Sequence, residues 1–227
     1  MKKFILIYLI AVTISYSQSF QVEKITGTAQ MLSNGSETWQ PVKLKMLLDE
    51  NTIISTDKNS SVNIKSADIS FILKESSAIT ISNIKKMSLD ELVLALAMEN
   101  VMNAPRKKGN TKSDNTAVYG DKINKETLST IKSNDFGLKR INGAKQLAEN
   151  GMKESAIITA KEIYRKYPDT KKDAETRIYF ADLLFERGLY EESLDEYAEI
   201  KSLQLNAEQK IHVNNKIDQI NKKLINK

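Results

Sequence analysis

Two windows in the C-terminal half, "LKRINGAKQLAENGMKESAIITAKEIYRKYP" (Leu138–Pro168) and "TRIYFADLLFERGLYEESLDEYAEIKSL" (Thr176–Leu203), superpose on a glycine. In each, one helical pattern ends at that glycine, Gly151 or Gly188, and another starts within a few residues. The offset is 37 (188 − 151). Under it Ala144 meets Ala181, Leu147 meets Leu184, Ala156 meets Ser193, Ala160 meets Tyr197 and Ile163 meets Ile200. Small residues recur where two helices must approach closely, so the half reads as one helical hairpin used twice. A single hairpin cannot bury its own apolar face and has to stack on a neighbour, and the end of the stack needs a cover. The last segment, "NAEQKIHVNNKIDQINKKLINK", puts Val213, Ile217, Ile220 and Leu224 on one stripe and reads as that capping helix.

A repeated helix–turn–helix unit of about 34 residues resembles the tetratricopeptide repeat. The resemblance covers roughly residues 136–205, and "ADLLFERGLYEESLDEY" carries most of it. It implies that the first helix of each hairpin lines a concave surface that holds a protein partner. One step round those helices from the core positions lie Ile141, Lys145 and Ala148 in the first unit and Ile178, Asp182 and Phe185 in the second. These six are the expected partner-binding residues. Ile178 and Phe185 are seven apart and share a face. They line a groove, or they pack against the capping helix or the N-terminal half.

The N-terminal half has a different period. From Val22 to Ile84, short β-type runs ("VEKITGTAQML", "TWQPVKLKM", "NTIIST", "SSVNIKS", "ISFILKE", "SAITISNI") alternate with polar turns such as "SNGSE" and "STDKNSS". Val62 and Ile64 fall on one face, and Ile79, Ile81 and Ile84 continue the theme. The apolar run around Phe71 predicts a central strand, and the whole predicts a small all-β sandwich or barrel-like sheet. A helix follows: Ser88 caps it with Glu91 three residues on, and Leu92, Ala95 and Leu96 return at helical spacing. It is expected to pack on the sheet, with Met98 and Met102 as ordinary core. The runs "ITGTAQML", "TWQPVKL", "LLDENTIISTDKNSSVNI" and "AITI" resemble the FecR protein domain through Gly27, Trp39, Leu48, Ile53 and Thr56. That resemblance implies a periplasmic β module. With no cytoplasmic regulator segment or spanning helix beside it, a binding role is the expectation and cell-surface signalling an alternative.

Lys2 and Lys3 precede an unbroken apolar run from Phe4 to Val12 and then small polar residues, the order of a secretory leader. Cleavage is expected after Ser17 or Ser19. The run falls short of the roughly 20 apolar residues a spanning helix needs. The chain has no cysteine, which removes disulfides and cysteine-linked lipid and leaves an exported domain to be held by its core alone. The net charge of +5 is spread thinly. Phe20–Met102 has 8 basic and 10 acidic residues and Phe136–Lys227 has 17 and 15, so neither half offers the basic face of a nucleic-acid binder. The excess sits in the polar segment Asn103–Asp135, with 7 basic residues against 4 acidic, read as a solvated linker.

Strings that suggest chemistry do not assemble. His212 is the only histidine, so neither a histidine–cysteine metal cluster nor a histidine relay has a second member. Ser82-x-x-Lys85 followed by Ser113-Asp114-Asn115 imitates the serine penicillin-recognising enzymes, but the Lys-Thr-Gly element is missing and a second Ser-x-x-Lys at Ser129–Lys132 shows how readily the string arises. Glu191 and Glu192 are adjacent on a helix and cannot face one substrate. Trp39 reads as a core strand residue ahead of a sugar-stacking platform. The expectation is therefore an α+β multidomain chain: leader 1–19, β domain with a C-terminal helix 20–102, linker 103–135 and helical repeat domain 136–227. It acts as a non-enzymatic scaffold in the periplasm or on the surface of a bacterium, without a cofactor. Its β domain docks an envelope glycan or protein and its repeats bind a protein. A cell-wall enzyme with an unrecognised site is the alternative from another class.

Overall fold

The computed structural model describes residues 19–33, 36–103 and 133–225. The expected leader, most of the expected linker and the Ser113–Asn115 and Ser129–Lys132 strings lie outside them. Among the described residues the chain is α+β, with two four-stranded antiparallel sheets followed by six α-helices. The strands are β1 (Phe20–Thr26), β2 (Ala29–Leu32), β3 (Gln40–Pro41), β4 (Leu47–Leu48), β5 (Ile53–Thr56), β6 (Ser61–Lys65), β7 (Ser70–Leu73) and β8 (Ala78–Thr80). One sheet runs β4-β1-β6-β7, the other β3-β2-β5-β8.

The run read as "VEKITGTAQML" is two strands, broken at Gly27, that enter different sheets. Alternation sets the register: Val22 stands opposite Ile64, Ile64 opposite Phe71, and Ile54 opposite both Met31 and Ile79. All of these are buried in one cluster. A one-residue slip would turn each of them to solvent. The strand around Phe71 is an edge strand, not a central one. Phe71 and Leu73 point inward while Ile72 is exposed, which is the one-sided burial an edge position allows. Trp39 lies outside the strands, half-buried, with its ring edge-on to Phe136 at 5.7 Å.

The helices are α1 (Leu89–Asn103), α2 (Ser133–Glu149), α3 (Lys153–Lys166), α4 (Ala174–Glu186), α5 (Tyr190–Ile200) and α6 (Ala207–Ile225). Ser88 and Glu91 exchange reciprocal bonds at the start of α1, Ser88 N–H to Glu91 Oε2 at 2.7 Å and Glu91 N–H to Ser88 Oγ at 3.2 Å. Helix α1 packs along α3 instead of on the sheet. Leu92 and Leu96 enter the core there, and Glu99 pairs with Arg165 at 2.6 Å.

The two hairpins are α2–α3 and α4–α5, and their turns are the same device. Gly151 (φ 81°) and Gly188 (φ 77°) are left-handed, a conformation that glycine adopts without a Cβ penalty. Gly151 N–H donates to Ala148 O and Met152 N–H to Leu147 O. Gly188 N–H donates to Phe185 O and Leu189 N–H to Leu184 O. These are matched Schellman caps at the offset of 37 (188 − 151) read from the sequence. The small-residue match also has a function, because Ser193 Oγ donates to Ala181 O at 2.9 Å where the two helices cross. Helix α6 covers the end of the stack, burying Val213 and Ile220 against Ala181, Tyr197 and Ile200.

The expected separation into a β unit and a helical unit meets a shared core. One apolar cluster runs from both sheets through α1, α2 and α3 to Phe180, Leu183 and Leu184 of α4. Helix α2 lies against β8, the edge of the second sheet. A Cβ on Gly143 would stand 2.1 Å from Ala78 O, so only glycine permits this approach. Around it Asn142 Nδ2 donates to Ser76 O (2.9 Å), Gln146 Nε2 to Ser77 Oγ (2.7 Å) and Lys74 N–H to Gln146 Oε1 (2.7 Å). The aromatic series Trp39, Phe136 and Tyr167 closes the other side.

Candidate functional site

Of the six residues expected to line a groove, Ile141 and Ala148 are buried and Lys145, Ile178, Asp182 and Phe185 are half-buried, each against other parts of the chain. Ile141 and Ala148 are buried in the shared core, because α2 turns that side of the hairpin inward instead of leaving it concave. Lys145 is half-buried with Nζ 5.8 Å from the Tyr179 ring centre. Ile178 and Phe185 pack on the second cluster beside Ile217 and Leu224 of α6, and Lys216 Nζ sits 4.3 Å above the Phe185 ring. Asp182 is engaged from three sides: Tyr197 OH donates to it at 2.7 Å, His212 Nε2 lies 3.0 Å away and Lys216 Nζ 3.2 Å away. Of the two arrangements open in the sequence for Ile178 and Phe185, packing under the capping helix is the one present.

Charged groups inside the stack hold the hairpins in register. Glu196 of α5 accepts from Lys161 of α3 and from Arg177 of α4 (2.6 Å), and Arg177 also reaches Glu199 at 2.8 Å. Burial pushes the Glu196 carboxyl up, yet Lys161 and Arg177 outweigh it and hold the group below the ordinary carboxylate value. Glu154–Arg187 and Lys153–Glu186, both at 2.6 Å, tie α3 to the end of α4. Each charge here faces another charge of the protein.

An open cleft of about 540 Å³ lies between the turn after β5 and α2, lined by Asp57, Lys58, Ser76, Asp135, Leu138, Lys139 and Asn142. Asp57 and Lys139 neutralise one another there at 2.9 Å. Ser82 falls in a short 3-10 turn, Ile81–Asn83, not at a helix start. Among the described residues no three His, Asp or Glu side chains converge as metal ligands would.

What remains open is α1. Its inner side is spent on Leu92, Leu96 and Glu99, but the opposite side is apolar as well. Leu94 is 64% exposed, Met98 59%, Val101 77% and Met102 57%, with Val93 at 44%. Ala97 is exposed between them. Leu94, Ala97, Met98 and Val101 follow i, i+3, i+4, i+7 and form one stripe. The expectation that Met98 and Met102 are core is corrected: α1 has a core on one side only, and the methionines face away from it. A helix apolar on all sides is one that is ordinarily covered on all sides. The signal was present in "LVLALAMENVM", which offers more apolar residues than one contact face can take.

The chain matches no family model, no curated protein and no solved structure. No helix among the described residues is long and apolar enough to cross a membrane.

Proposed function

We propose that this chain is an exported, non-enzymatic binding protein of the bacterial envelope, and that its partner surface is the outer face of α1. The exposed stripe Leu94, Ala97, Met98 and Val101 carries the reading. Large apolar patches on a soluble surface mark contact sites, since covering them recovers roughly 25 cal/mol per Å². The stripe stands on a rigid base, because Leu92 and Leu96 in the core and the Glu99–Arg165 pair fix α1 against α3. The leader-like start supports export. The FecR-like runs support an envelope module, and the twin glycine caps support tetratricopeptide-like hairpins, here acting as a support for α1 and not as the groove itself.

The test is capture from bacterial envelope fractions with the mature chain. Leu94→Asp with Val101→Asp should abolish capture, whereas Ile211→Asp, on the exposed side of α6, should not. Equal capture by all three proteins would remove α1 as the partner surface. N-terminal sequencing of the exported chain should begin at Gln18 or Phe20. Either start retains Phe20, whose buried ring opens β1.

A further inference from the structure

The occupant of the α1 face is a second copy of this chain: we infer that two molecules pair α1 against α1, antiparallel, about a two-fold axis near Ala97 and Met98. The inference rests on the reading of α1 as a binding surface and names what binds there. Two observations point to it. The first is symmetry. A two-fold interface must be complementary to itself, residue i of one copy meeting j of the other and the reverse. The stripe 94, 97, 98, 101 is symmetric about its own centre, so an antiparallel crossing there sets Leu94 against the partner's Val101 at both ends. The small side chain of Ala97 lies at the crossing, where the helices come closest. The acidic residues of α1 choose the direction. Asp90 and Glu91 occupy its first turn and no basic residue lies in its last turn. A parallel pair would set these carboxylates against their own copies, and the antiparallel pair keeps the two acidic turns at opposite ends.

The second observation is area. The exposed parts of Val93, Leu94, Ala97, Met98, Val101 and Met102 amount to on the order of 600 Å² per molecule, so pairing would cover at most about twice that, at or below the lower limit of the roughly 1,200–2,000 Å² of stable specific interfaces and in the range of weak, transient ones. That size fits a dimer that forms at micromolar concentration and separates on dilution.

The chain has no cysteine, which makes single-cysteine variants of the full mature protein clean reporters. Sedimentation velocity from 1 to about 100 µM should show a dimer replacing monomer. Leu94→Asp with Val101→Asp should weaken that association at least about 100-fold with an unchanged circular dichroism spectrum. Under mild oxidation Ala97→Cys should give a covalent dimer. Leu94→Cys alone should give little, and a mixture of Leu94→Cys with Val101→Cys should give the crossed dimer. A monomer at every concentration overturns the inference. If Ala97→Cys is then freely labelled by a maleimide and the double aspartate variant still loses envelope capture, the face serves a different protein. If the same cysteine is protected in the monomer, another segment of the chain covers the face. A dimer that survives the double aspartate substitution also overturns it, because the contact then lies elsewhere.

Discussion

Gly143→Ala is the most direct probe of the contact that joins the two halves of the molecule. In an unconstrained helix the change would stabilise by about 1 kcal/mol, because alanine is the better helix former. Here the new methyl would lie 2.1 Å from Ala78 O and 2.9 Å from Ala78 C, both backbone atoms of β8 that cannot swing aside. Reaching ordinary contact requires α2 to move off the strand by about 1 Å, and forced overpacking of this kind costs about 1–3 kcal/mol. The shift also pulls Gln146 from Ser77 Oγ and from Lys74 N–H. Loosening those buried bonds adds about 1–3 kcal/mol. The net expectation is a loss of about 1–5 kcal/mol, the opposite sign to the propensity effect. Urea unfolding can be followed by the fluorescence of Trp39, the single tryptophan, which sits against Phe136 beside the contact. The midpoint should fall by about 1 M with little change in slope. A neutral or stabilised Gly143→Ala protein would show that α2 does not lie on β8, and the shared core would go with it.

Residues 20–103 and 133–225 produced as separate chains should be unstable alone and copurify when expressed together, since one apolar cluster spans both; two fragments that each melt cooperatively would refute this. Ile178→Ser with Phe185→Ala should cost about 2–4 kcal/mol and lower the melting temperature, because both pack on the cluster beneath α6, and unchanged melting would place them in an open groove instead. Glu196→Gln should destabilise by about 2–4 kcal/mol at pH 7, leaving Arg177 short of a partner. Because the folded Glu196 lies below its ordinary value of 4.5, its contribution is complete above that value and is lost as pH falls through the folded value. The gap between wild type and Glu196→Gln in thermal melts should therefore be widest near pH 6–7 and close in acid. A gap independent of pH would mean that the pair adds nothing beyond packing.

The hairpins were legible because their signals are local and periodic. A left-handed glycine, the residues three and four before it, and the small residues at the crossing all act within one turn or one hairpin, so they recur at a constant offset. The inward strand residues Val62, Ile64 and Ile79 were legible for the same reason, since a period of two needs no partner to be seen. The Asn206–Gln209 box that starts α6 is equally local, with reciprocal bonds at 3.1 and 2.8 Å, and the "NAEQ" spacing marks it.

The candidate site was not legible, because the sequence reports which side chains are apolar and not what stands opposite them. Helix α1 reads as core on every side. Its outer stripe is exposed because α3 is the neighbour that takes its inner side, and one cylinder can touch only part of another. Helix α2 errs in the other direction. Lys139, Asn142 and Gln146 form a polar stripe that looks solvated, yet they face the protein, bonding to Asp57, Ser76 O and Ser77. Edge strand β8 and the turn before it carry backbone and hydroxyl groups that need partners when a helix excludes water from them, so a polar face is the one that fits. By itself the sequence determined the period of the helices and of most inward strand residues, the cap of α1 and the glycine turns of the two hairpins, which are settled within a few residues of chain. Only the tertiary structure decided which faces meet, because that depends on groups more than sixty residues apart that share no pattern until they touch.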